Sequence, residues 1–341
     1  MQLSVLDQSY SRSANHASQA LHETIEMAKW CEQLGYKRFW VSEHHAFSSV
    51  AGSAPEVLLA ALGAATKEIR LGSGGIMLPH YSAYKVAEVF SLLANLYPGR
   101  IDLGVGRAPG ADMATAVALA TDGRPKFERF PSLVSELDQF LNADVTSPLV
   151  SPKPPRDLPI WILGTSPDSA VLAAEQGLPY NLGLFINPQA PAQLIGHYKN
   201  AFQAGASKTM SKTTSQTKAE AKAQAIITIG VFCADTYEQA DIQRHCFDVN
   251  FFRFVTGQRT NDSGRLLSPE EAQEFPMSPH LQSFIVQRNE NRAVGTPDQV
   301  RKEVLDIAGR YQADEVMAVT NMYDFEDRKR SFELLRTVFD D

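Results

Sequence analysis

Cysteine is scarce in this chain of 341 residues: Cys31, Cys233 and Cys246 are the only three, and no two stand at a CxxC spacing. That excludes a disulfide framework and a zinc knot of the usual spacing, so reduced and mostly buried thiols are expected. A Lys/Arg-rich run is also missing, and 32 basic against 39 acidic residues give a net charge of −7. No surface for tracking nucleic-acid phosphates is expected. No stretch of about 18 apolar residues occurs, and the start "MQLSVLDQSY" lacks the basic and apolar regions of a signal peptide. A soluble, cytoplasmic protein without a membrane partner is the expectation. The eight histidines contain no HxH or HExxH, which argues against a metal site. "DQSYSRS", after the first apolar run, has no GxGxxG, which argues against an open dinucleotide-binding sheet.

What the chain does have is alternation. Eight short β-rich runs, at 2–6, 38–42, 70–74, 101–105, 159–163, 180–184, 225–233 and 315–320, are separated by segments of helical period. In the first such segment Leu21, Ile25, Ala28 and Cys31 recur at three- and four-residue spacing, and further helices are read over 57–65 and 85–96. Eight strand–helix units predict an α/β chain folded as a (β/α)8 barrel in one domain over 1–341. Two connections are too long for simple crossovers and are read as insertions after strands 4 and 7, at about 106–158 and 234–314.

In such a barrel, chemistry gathers at the C-terminal strand ends. The residues there are Asp7 and Gln8; Glu43, His44 and His45; Gly74 and Gly75; Gly106 and Arg107; Gly164, Thr165 and Ser166; Asn187; Asp235; and Asn321. Adjacent side chains on an extended strand point to opposite sides, so His44 and His45 are poorly placed to bind one ion together. A catalytic His44, with Glu43 orienting it, competes with a reading in which both rings are merely hydrogen-bonded beside the acid. Gly74 and Gly75 suit a flat ligand lying against backbone, or a tight turn. Arg107 suits an anion, or an ion pair. Gly164, Thr165, Ser166 and Ser169 mark a helix start that suits a phosphate, or a simple N-cap. A phosphorylated cofactor shaped like FMN would unite these features.

"LGYKRFWVSEHH", "APEVLLAALGAATKEIRLGSGGIMLPHYS", "VAEVFSLLANLYPGRIDLGVGRAPG", "LGTSPDSAVLAAEQGLP" and "ADEVMAVTNMYD" stand in that order. On these blocks the chain resembles the bacterial luciferase-like flavin monooxygenases, in particular luciferase-like oxidoreductases of unassigned substrate. The resemblance implies FMN bound at the strand ends, supplied reduced by a separate NAD(P)H-dependent flavin reductase. It implies His44 as acid or base near the flavin, and a non-prolyl cis peptide between Gly74 and Gly75. Arg107, Thr165, Ser166 and Ser169 fall at its phosphate-contact positions, and a homodimer is implied. Gly106 departs from the luciferases, which have a reactive cysteine there, so a long-chain aldehyde substrate and light emission are not expected. Substrate-side residues are expected from 106–125 and 250–295. Hydride transfer by a flavin or deazaflavin, and flavin binding without turnover, remain alternatives to oxygenation of a small organic substrate.

Overall fold

Parallel strands covered on both faces need apolar residues at successive positions, and this chain supplies them: all nine residues of 225–233 are buried. The computed structural model describes residues 1–107, 110–120, 122–142, 147–155, 158–202, 222–258 and 264–339. Its strands are β1 (Gln2–Asp7), β2 (Arg38–Val41), β3 (Arg70–Ser73), β4 (Ile76–Met77), β5 (Ile101–Gly106), β6 (Ile160–Gly164), β7 (Tyr180–Gly183), β8 (Ala225–Cys233), β9 (Ala293–Gly295) and β10 (Glu315–Val319). Eight of them pair in parallel in the order β10-β1-β2-β3-β5-β6-β7-β8, and β8 pairs with β10 to close the ring. This is the expected (β/α)8 barrel. The short β4 and β9 were not expected; they pair with the outer parts of β5 and β8.

The helices Ala17–Gln33, Pro55–Ala65 and Ala83–Leu96 fall where the periodicity put them. In the first, the buried stripe is Ala20, Thr24, Met27, Ala28 and Cys31, with Leu21 and Ile25 only at its margin. The two long connections carry helices of their own, Met113–Leu119 and Phe130–Asn142 in one, Tyr237–Val255, Pro269–Gln273 and Pro279–Arg288 in the other. All three cysteines are buried and unpaired. Among the described residues, no helix is long and apolar enough to cross a membrane.

The barrel interior is layered. At its N-terminal end Arg38, Arg70, Asp102 and Glu315 form a charged network. Above it Trp40 and Trp161 meet edge to face, centroids 5.5 Å apart, among Leu6, Ile226 and Met317. Gly72 makes room for them, since a β-carbon there would lie 2.5 Å from Trp40 Nε1. The remaining interior volume lies toward the C-terminal strand ends.

Candidate active site

Beyond β2 the chain leaves extended pairing, and backbone bonds fix its path: His44 N–H donates to Gly52 O (2.9 Å) and His45 N–H to Gly110 O (2.9 Å). The buried Glu43 carboxylate accepts from Met77 N–H (2.9 Å) and Tyr81 Oη (2.8 Å), and His45 Nε2 lies 2.8 Å away. Burial and Glu43 together raise the Tyr81 pKa, so the phenol stays protonated and keeps donating. Glu43 therefore binds His45 and the β4 backbone rather than orienting His44, contrary to the sequence expectation. Two adjacent histidines cannot both reach one carboxylate when their side chains diverge.

The His44 partner is Ser42, whose Oγ lies 3.0 Å from Nδ1. Ser42 is buried and has no other side-chain hydrogen bond among the described residues, so its hydroxyl proton is best satisfied on Nδ1. That leaves the proton of the neutral ring on Nε2. Burial lowers the His44 pKa to about 4, and His45 adds to the shift against the pull of Glu43. The imidazole is thus neutral at physiological pH, not poised near 6.5 as an unperturbed histidine would be.

Two cavities open at the strand ends, with Phe185 and Ile186 lining both. The first, about 380 Å³, holds His44, Gln8 and Asn321 among aromatic residues from the second insertion. The second, about 420 Å³, is lined by every residue singled out for cofactor binding: Gly74, Gly75, Arg107, Gly164, Thr165, Ser166 and Ser169. Its floor requires glycine. A β-carbon on Gly75 would lie 2.4 Å from Leu163 Cδ1 and 2.8 Å from Gly104 O, and one on Gly74 2.6 Å from Leu6 Cδ1. The Gly74–Gly75 peptide is cis.

Across this cavity Ser166 caps the helix Pro167–Gln176. Ser169 Oγ donates to Ser166 O (2.7 Å), accepts from Ser166 N–H (3.4 Å) and lies 3.0 Å from Tyr180 Oη, so it closes a capping box. Asn187 Nδ2 donates to Thr165 O (3.2 Å) and steadies the turn. Arg107 and the Thr165 hydroxyl have no hydrogen-bond or ion-pair partner among the described residues, and both line the cavity. The carboxylates at this cavity, Glu128 and Asp168, are exposed to solvent. An N-cap and an anion cradle are compatible here, because capping engages the Ser169 hydroxyl and the Ser166 backbone but leaves Thr165 and Arg107 available.

Other strand-end residues divide. Asn321 Nδ2 donates to Gln8 Oε1 (2.7 Å) at the first cavity. Asp7 is tied to Ser9 N–H and Thr24 Oγ1 (2.7 and 2.8 Å). Asp235 pairs with Arg330 on the exposed surface, because β8 runs on past the mouth to meet β9. Asn181 and Thr228, joined at 2.8 Å inside the second cavity, escaped the sequence reading. The signal was there, a polar side chain in each of two apolar strands. Among the described residues, no group of three or more His, Cys, Asp or Glu could hold a metal ion.

A family model described as "Luciferase-like monooxygenase" matches residues 1–312. The chain is 38% identical to the uncharacterized protein YwcH of Bacillus subtilis, covering 99% of both chains. It is 33% identical to N-acetyl-S-alkylcysteine monooxygenase of the same organism, covering 98% and 97%. Among solved structures, apo-MsnO8 superposes with a TM-score of 0.86 at 34% identity, covering 99% and 98%. Two more distant structures share the fold with TM-scores of 0.66. One is the FMN-bound oxygenating constituent of 3,6-diketocamphane monooxygenase from Pseudomonas putida, at 18% identity with 98% and 97% covered; the other is an F420-dependent secondary alcohol dehydrogenase, at 17% with 100% and 99% covered. With a family match running from β1 through the helix before β10, and relatives aligned end to end, the chain belongs to the luciferase-like monooxygenase family.

Proposed function

We propose that this protein is an FMN-dependent monooxygenase that uses reduced FMN and O2 to oxidise a small organic substrate. The observation that carries the reading is the pair of adjoining cavities: one with a glycine floor and an anion cradle, the other with a neutral histidine in an aromatic enclosure. The residues present fit the cofactor. Arg107, Thr165 and Ser166 would hold its phosphate, with Ser169 fixing their loop, and Gly74 and Gly75 give a face that no side chain crowds. Reduced flavin, when bound, supplies the electrons and the oxygen chemistry that amino-acid side chains lack. His44 holds its ring proton on Nε2 at the substrate cavity, where it can donate a hydrogen bond to developing negative charge. Phe47, Phe251 and Phe254 exclude water from that side. Glu43 supports the site by fixing His45 and Met77 around it.

The monooxygenase named among the relatives at 33% identity supports oxygenation over hydride transfer. Reconstitution with FMN, NADPH and a separate flavin reductase should give product only in air, across a panel of small metabolites. Turnover that persists without oxygen would favour hydride transfer, by flavin or deazaflavin, and oxidation never coupled to product would favour a flavin carrier. The reading extends to a single cytoplasmic domain that meets its reductase transiently.

A homodimer is part of the same proposal. The helices Pro55–Ala65 and Ala83–Leu96 leave Val57, Leu92 and Leu96 more than half exposed, an apolar surface that a second copy would cover. Sedimentation at micromolar concentration should give twice the chain mass; a monomer would refute the dimer.

A further inference from the structure

The cavity that holds His44 carries an imbalance of charge. Arg253, Arg265 and Arg288 line it, and no carboxylate does so among the described residues. Arg265 is held by Glu271 through two bonds of 2.8 Å, and Arg253 contacts Asn250. Arg288 is different. Its guanidinium lies against three rings, 4.4 Å from the centroid of Phe251, 5.6 Å from Phe284 and 5.7 Å from Phe247. The nearest acid, Asp248, is 3.7 Å from Arg288 Nε.

That acid is already saturated. A carboxylate offers about four lone-pair sites, and Asp248 accepts three bonds from Arg292 (2.9 to 3.0 Å) and one from Arg244 (2.9 Å). Among the described residues, Arg288 Nη2 donates to the backbone oxygen of Phe185 at 3.3 Å, and its buried Nε makes no hydrogen bond. Burial and the neighbouring Arg292 lower the Arg288 pKa to about 10 against the opposing pull of Asp248, leaving it charged at neutral pH. The Arg288 guanidinium thus faces a largely apolar cavity as a cation that loosely shares one carboxylate with two other arginines.

We propose that the substrate of this cavity carries a carboxylate on an apolar, ring-sized body, and that Arg288 is the residue that selects the charge. The inference rests on reading the cavity as the substrate side of the proposed monooxygenase. The aromatic walls receive the body, and an incoming carboxylate takes a planar fork of donors that Asp248 cannot. Neutral analogues of the same shape leave the cation buried and uncompensated.

The test is a matched pair, 4-phenylbutyrate and 4-phenylbutan-1-ol, titrated calorimetrically into the full-length protein with and without FMN. The acid should bind at least about tenfold tighter than the alcohol. The preference should vanish in Arg288→Gln and partly survive in Arg288→Lys, with FMN affinity, read by quenching of its fluorescence, the same in all three proteins. Equal affinity for acid and alcohol in the unaltered protein, binding of neither, or an undiminished preference in the folded Arg288→Gln variant would each overturn the assignment. Should Arg288→Gln not fold, the wild-type comparison and Arg288→Lys decide. Failure of FMN to bind the unaltered protein would instead sink the flavin reading, while the acid and alcohol titrations without FMN still decide this one.

Discussion

Replacing His44 by alanine should lower oxygen-dependent turnover by about 10²–10⁴-fold, the range for losing a positioned proton-handling group, while leaving FMN affinity unchanged. The separation of effects follows from geometry, because His44 lines the aromatic cavity and not the glycine-floored one. The pH profile gives a second readout. With the pKa held at about 4 by burial, His44 stays neutral across the physiological range and should place no limb near 6.5 on the rate. Stability responds to the same shift. The unfolded side chain takes its proton near 6.5 and the folded one only near 4. Between those values the unfolded state binds the extra proton, so the contribution is complete above the unfolded value and is lost as pH falls toward 4, by up to about 3 kcal/mol. His44→Ala should flatten that slope in denaturant titrations. A variant with full turnover and an unchanged slope would remove His44 from the mechanism.

Much of the barrel was legible because its strands are apolar runs and its helices keep their period. β4 and β9 were not: two or three residues next to glycine carry no periodicity. The residues lining the second cavity could be singled out because they lie at or just beyond strand ends, where barrel topology alone assigns a direction. The pairing of Glu43 was hidden because one sequence position cannot tell which of two adjacent imidazoles a carboxylate reaches. The His44 pKa was hidden because burial comes from segments far along the chain. Arg288 lies inside the range 250–295 expected to line the substrate side, but nothing singled it out there. Phe247, Phe251 and Phe254 recur at helical spacing, and only the folded insertion shows that they wall a cavity with a cation beside them.

Asp102→Ala should cost about 3–5 kcal/mol of stability, the penalty for leaving a buried ionic partner uncompensated. Asp102 is fully buried inside the barrel and accepts from Arg38 Nη1 (2.6 Å), Arg70 Nε (3.1 Å) and Trp40 Nε1 (3.0 Å). Arg38 also bonds Glu315 at 2.7 Å, and Lys37 reaches Glu315 from the rim at 2.8 Å, so Arg38, Arg70 and Lys37 share two carboxylates. Burial works against the Arg38 charge, but Asp102 and Glu315 outweigh it and raise its pKa. Alanine would leave that guanidinium half-paired and the indole N–H of Trp40 without an acceptor. Because Trp40 packs beneath Gly74, with 3.3 Å between its Cβ and a β-carbon placed there, the damage should reach the glycine floor of the second cavity. Urea unfolding followed by tryptophan fluorescence measures the loss. Asp102→Asn, which keeps an acceptor for the indole but not the charge, should fall between the two. If alanine cost less than about 1 kcal/mol, the range of an exposed pair, the network would not be what holds this end of the barrel together.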